Sequence, residues 1–230
     1  MTSHNPAGAD TARNESVAPW PIEQILTTHE LSARPNRAPD YKAENEALTT
    51  IADAMTESPR DVLQILVDKA LALTRAQSSG ISLLERDSGA QIFRWRATAG
   101  EYAHHLDQTL PRALSPCDAV LNQKTMLLMT DPVRRYPLIN QLSRPVHELL
   151  LVPFFQGVQP VGTIWIVLHD ASETFMQEDA RVVQSLAKLA GAAFQLLSHL
   201  DDLHAVNRAV LSKIAEPSPA TTSSTTRSTS

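Results

Sequence analysis

The chain has 230 residues, 43% of them hydrophobic, and a formal net charge of −5. That is enough apolar material for one ordinary domain with extensions, or for two small domains. The acidic balance, with arginines in pairs (Arg94 and Arg96, Arg134 and Arg135) but never in runs, excludes nucleic acid as an expected partner. A single cysteine excludes an internal disulfide and a cysteine zinc cage and fits a reducing cytoplasm, and no apolar stretch is long enough for a secretory leader or a membrane span.

Residues 1–21 carry three prolines and few large apolar side chains, so they are expected to form a disordered arm. Residues 22–41 read as a short helical turn followed by a proline-broken strap, with Ile22, Ile25 and Leu26 at a spacing that packs onto something. The folded part begins near Lys42. Leu48, Ile51 and Met55 form one helical stripe, and Pro59 opens a second helix whose inner face is expected to carry Val62, Ile65, Leu66, Lys69 and Leu73.

In SGISLLERDSGAQIFRWRA, two β-rich runs flank a DSG turn, which predicts a hairpin. Strict alternation would put Phe93, Trp95 and Ala97 on one face and Arg94 and Arg96 on the other. SPCD at 115–118 reads as a capped helix start: Ser115 at the N-cap, Pro116 at N1, Cys117 at N2 and Asp118 at N3, its carboxylate able to reach back to the cap amide. A thiol in a first helical turn is favoured as thiolate by the dipole, while the adjacent carboxylate opposes it.

ELLLVPFFQGVQPVGTIWIVLH is the strongest strand signal in the chain, two central strands joined by a tight turn. A long helix follows from about Met176, with Thr174 expected to cap it and Gln177 to complete a capping box. Counting from Val182, apolar residues fall at heptad a and d positions through Leu196, Leu200, Leu203, Val210 and Ile214, with Asn207 the one polar residue on the seam. Beyond Leu200 the helix is expected to outrun the sheet and pair with a second copy. The last fourteen residues, 217–230, are ten parts Ser or Thr and read as a disordered tail.

Hairpin, helices, hairpin, with helices at both ends, predicts an α+β domain built around an antiparallel sheet. PRALSPCDAVL, ELLLVPFFQGVQPVGTIWIVLHD and FMQEDARVVQSLAKLAGAAFQLL resemble the GAF domains that stand before bacterial sensor histidine kinases. ILTTHELSARPNRAPDY and SSGISLLE support the likeness, which spans roughly Ile25 to Leu203. The resemblance implies a GAF-like fold with about six antiparallel strands and a long C-terminal helix, with helices on one sheet face and a small-molecule cavity on the other. It also implies a regulatory role, commonly in a dimer joined through terminal helices, and with no catalytic constellation in the sequence the module is expected to be non-catalytic.

On this reading the chain divides into the arm, the strap, a GAF domain over 42–203, a coiled-coil extension over 204–216 and the tail. No output domain is seen, so the expected partner is a separate signalling protein such as a histidine kinase. No cofactor is assigned, and the ligand stays an unidentified small molecule. Asp118 replaces a family glycine, and Met176 replaces the family aspartate after Phe175.

Candidate ligand contacts are Arg94, Arg96, Cys117, Arg135, Tyr136, His147 and Glu148. The two hairpin arginines face either the cavity or solvent, and arginines would suit an anionic ligand. Two other readings stay open: a thiol sensor or small redox enzyme using Cys117, and a ligand-free interaction scaffold whose side chains fill the cavity. No catalytic constellation and no metal-ligand spacing appear; the adjacent His104 and His105 read as a solvated turn.

Overall fold

The computed structural model describes residues 20–215. The expected disordered tail, and all of the expected arm except Trp20 and Pro21, lie outside those residues. Six antiparallel strands form one sheet: β1 (Ser78–Asp87), β2 (Ala90–Gly100), β3 (Thr109–Pro111), β4 (Leu127–Thr130), β5 (Glu148–Gln156) and β6 (Gln159–Leu168), in the order β3-β2-β1-β6-β5-β4. The two nearly continuous apolar runs, β5 and β6, sit inside the sheet and are buried on both faces, as such runs must be.

One sheet face is covered by α1 (Tyr41–Glu57), α2 (Val62–Leu73) and α4 (Gln177–Ala215). The other is covered by the segment between β2 and β5, which includes α3 (Pro116–Gln123) and several short 3-10 turns. The inner face of α2 is turned from the expected stripe. Val62, Leu63, Leu66, Val67 and Ala70 are its buried residues, while Lys69 and Leu73 sit at the margin.

The β1–β2 hairpin departs from strict alternation. Its register jumps between Ile81, paired with Ala97, and Ser82, paired with Trp95, leaving Arg96 as the extra residue of a β-bulge. The bulge reverses the pleat. Phe93 and Trp95 therefore face the lid, whereas Ala97 joins Ala99 in the core under the helices.

The strap forms two 3-10 turns, Ile22–Gln24 and Thr28–Ala33, and then runs extended to the N-cap Asp40. It lies along β4, where Thr27 N–H donates to Leu128 and Thr130 N–H to Ile25, both at 2.9 Å, so this sheet edge is not left bare. Ile25 enters the lid-side core and Leu31 the helix-side core.

Strap residues also cap α4. Asn36 accepts from Glu178 N–H and Asp179 from Met176 N–H, both at 2.9 Å, and Arg37 donates to Asp179 at 3.1 Å. The expected Thr174 cap is not formed, because a side chain brought from 142 residues away supplies the acceptor instead.

α4 is 39 residues long, about 58 Å at 1.5 Å per residue. Val182, Val183, Leu186, Ala187, Ala190 and Ala193 pack it onto the sheet. Every side chain from Asp201 to Ser212 is exposed, so the last turns project beyond the domain. Among the described residues no helix is long and apolar enough to cross a membrane.

Candidate functional site

The lid face of the sheet presents Trp95 from β2, Leu149 and Leu151 from β5, and Trp165 and Val167 from β6. Trp165 fits because Gly80 on the neighbouring strand leaves it room; a Cβ there would come within 2.2 Å of the indole. Its N–H donates to Ser82 Oγ at 2.9 Å, so the buried ring leaves no donor unpaired. Trp95 leans on it at 4.7 Å between ring centres. Tyr102 closes one side and donates its hydroxyl to the Arg144 carbonyl at 2.7 Å.

What remains between these rings, Cys117 and the lid residues Ile139, Leu142 and Val146 is an apolar cavity of about 30 Å³. That holds a water or two at most, and its walls offer water few partners.

Cys117 is 4% exposed. Ser115 caps α3 as expected, accepting from Cys117 N–H at 3.3 Å, and Thr163 donates its hydroxyl to the sulfur at 3.2 Å. Burial, the largest influence, pushes the thiol above its ordinary pKa and outweighs the hydrogen bonds that favour thiolate. The group is a neutral thiol in this arrangement. Asp118 does not reach back to the cap amide; its carboxylate takes Arg112 Nε at 2.6 Å and the Asn122 amide at 3.0 Å.

The structure gathers some of the expected contacts and scatters the rest. Arg135 and Tyr136 stand beside α3, next to a half-open hollow of about 220 Å³ that shares Ser115 with the inner cavity. Arg94 and Arg96 are not in the cavity. They lie on the sheet face opposite Phe93 and Trp95, at the margin of the helix side, where both grip Glu85, at 3.1 and 2.6 Å.

His147 lies outside the cavity, with Nδ1 3.5 Å from Asp131. Glu148 is 1% exposed and works as a structural latch: Arg34 donates to both its oxygens, at 2.8 and 3.0 Å, and Phe175 N–H donates at 2.8 Å. Of the expected contacts only Cys117 lines this cavity; its aromatic walls, Trp95, Tyr102 and Trp165, are not among them. Trp165 is legible only as strand core, and Trp95 only as sharing a hairpin face with Phe93.

On the seam of α4, Leu196 and Leu200 are half-buried against the domain. Leu203, Val206 and Val210 are 61%, 61% and 49% exposed, and Asn207 is exposed beside them. Ile214 belongs to the helix, but its side chain is outside the described residues.

A single antiparallel sheet with helices on one face and a loop-built lid over an aromatic cavity on the other defines a class of small α+β domains. A GAF-domain family model matches residues 56–195, more than half of the chain, and the chain belongs to that family. GAF domains serve as sensing or regulatory modules in many proteins.

Among solved structures, the chain is similar to the GAF domain of a phosphoenolpyruvate-protein phosphotransferase from Coxiella burnetii, with 15% identity over 72% of this chain and 99% of that one and a TM-score of 0.57. The corresponding domain from Acinetobacter gives 14% identity, coverage of 66% and 90%, and a TM-score of 0.56. The phycoerythrobilin-bound GAF domain of a cyanobacterial phytochrome gives 13% identity, coverage of 70% and 99%, and a TM-score of 0.54. At such identities the likeness is one of fold. No curated protein matches the sequence.

Proposed function

We propose that this chain is a non-catalytic regulatory GAF module. It takes its input on the lid face of the sheet, self-associates through the projecting end of α4, and passes its state to a separate signalling protein, a histidine kinase being the expected kind. The observation that carries this reading is the α4 projection. Leu203, Val206, Val210 and Leu211 lie exposed on helix turns that touch little of their own domain. Leu203 and Val210 continue the a/d spacing that begins in the buried half, Val206 and Leu211 widen the stripe beside them, and each apolar side chain covered by a partner gains about 1.5–3 kcal/mol. Asn207 on that seam favours a two-stranded, in-register pair.

The aromatic cavity supports an input that shifts the lid, since a bound molecule that favours one packing of the lid biases everything attached to it. The strap provides the attachment, touching β4 and the lid-side core at one end and the first turn of α4 at the other. The thiol reading is weaker, because Cys117 is enclosed and held neutral.

Sedimentation or light scattering of the full chain tests the proposal. A dimer is expected, turning to monomer in Leu203→Glu/Val210→Glu with an unchanged far-UV spectrum. A wild-type monomer at tens of micromolar overturns it.

A further inference from the structure

The β4–β5 ladder ends early. β4 has four residues against nine in β5, and the last pair is Leu127 with Leu151. Continued register would set Met126 against Val152, Thr125 against Pro153 and Lys124 against Phe154, and none of these pairs forms. Lys124 takes the left-handed conformation that ends α3 (φ 54°), and the chain joins the sheet only at Leu127. The two segments stand apart as a fork.

α4 walls the fork on the helix side of the sheet. It presses onto β5 at Gly191, where a Cβ would come within 2.8 Å of the Phe155 carbonyl. Between fork and helix lies a groove of about 670 Å³. Lys124 stands on one wall and Lys188 on the other, both exposed. Neither has a carboxylate partner among the described residues. No Asp or Glu lines the groove, although the chain as a whole carries a net charge of −5. Met126 and Phe155 are half-buried there and show apolar surface.

Size decides the shape of what fits. From Gln184 to Gln195 the helix wall runs about 17 Å at 1.5 Å per residue. A docked helix of that length, about 10 Å across, would fill about 1,300 Å³, twice the groove. An extended chain covers about 17 Å with five residues.

We propose that this groove docks a short, extended, acidic segment of the partner protein. Its carboxylates meet Lys124 and Lys188, and an apolar side chain between them covers Met126 and Phe155. This rests on the reading of the chain as a module that signals to a separate protein, and it names the kind of segment that protein presents. Pro153 has no N–H to offer a ladder, so side chains and charge hold the segment rather than its addition as a seventh strand.

The test is fluorescence anisotropy of the full chain with a fluorescein-labelled peptide, Gly-Asp-Glu-Leu-Glu-Asp-Gly. Saturable binding is expected below about 1 mM. The peptide with Asn and Gln in place of Asp and Glu should bind at least about tenfold more weakly, and added salt should weaken the acidic one. Lys124→Glu/Lys188→Glu should also lose at least about tenfold, while Lys69→Glu, on α2 and outside the groove, should change nothing. Ala192→Gln, at an exposed groove position, lengthens a side chain into the space and should weaken binding without altering charge. No saturation, equal binding of the acidic and amide peptides, or unchanged binding in the groove variants overturns the proposal. So does a switch from dimer to monomer in Lys124→Glu/Lys188→Glu, which would give the groove to a second copy. With a dimeric wild type these results remove only the docking site; a monomeric wild type removes the functional reading beneath it.

Discussion

The two faces of the sheet are built from different materials. On the helix side, Ile51, Leu66, Val67, Ile81, Leu150, Ile164 and Leu168 interlock with a set of alanines. Gly191 lets α4 press so close that a Cβ there would lie 2.8 Å from the Phe155 carbonyl. Regular helices satisfy their own backbone, and a close-packed aliphatic core has few alternative arrangements.

On the lid side the fillers are Phe93, Trp95, Tyr102, Met129 and Trp165, covered by short turns and the eight residues of α3. The far end of that cover is tied down by a few individual bonds: Tyr102 to the Arg144 carbonyl at 2.7 Å, His169 Nδ1 to the Pro145 carbonyl at 2.6 Å, and His147 N–H to Leu168 at 2.9 Å. A face held by single latches can open locally while a face held by interlocked helices stays shut. The division suits a module that receives on one side and transmits from the other.

The largest expected effect joins the two faces. Glu148→Ala removes the partner of Arg34, whose side chain is 14% exposed against 1% for Glu148, and also strips an acceptor from Phe175 N–H. Removing one partner of a buried pair costs about 3–5 kcal/mol, measurable as a lowered urea midpoint.

Next come paired truncations on opposite faces. Leu66→Ala, fully buried under the helices, should cost about 2–5 kcal/mol. Leu142→Ala in the lid, only half-buried, should cost less than about 2 kcal/mol. Equal losses would erase the contrast between the faces.

A smaller effect is pH dependence confined to the lid. Burial lowers the pKa of His169, which shares a 2.8 Å contact with Ser78, and also that of His105, which stands edge-on to Tyr102. Near these residues, His169 is also influenced by Arg144 and Glu101, and His105 by His104. The unfolded chain then binds more protons than the folded one just below the ordinary value of 6.5. Stability from these groups is complete above that pH and is lost as pH falls toward the lowered folded values. The urea midpoint should therefore be lower at about pH 5.5 than at about 7.5, and His169→Gln should narrow the gap. The smallest signal is chemical: iodoacetamide should label Cys117 far more slowly in the folded chain than in urea, because the thiol is enclosed and its pKa is raised.

Much of this was legible in the sequence, for identifiable reasons. β5 and β6 announce themselves by unbroken apolar runs, and α3 by a cap, a proline and a first-turn carboxylate that all act locally. The cavity was less legible because it is assembled from distant segments. One extra residue, Arg96, moves Ala97 from the face it is expected to share with Phe93 and Trp95 to the other, since alternation carries no mark of a bulge. Glu148 was noticed as a charge before a central strand, yet its partner lies 114 residues away in the strap, beyond the reach of any local pattern. Arg135 and Tyr136 stand next to each other in sequence, and both line the hollow beside α3.

Native-state hydrogen exchange, resolved by residue, bears most directly on the division between an adjustable lid and a fixed helix side. The amides of Tyr136, Ile139 and Leu142, bonded only within short turns, are expected to exchange through local openings at a small fraction of the global unfolding free energy. Those of Leu66, Val67 and Ile81 are expected to exchange only with global unfolding. Equal protection of the two sets would contradict the account.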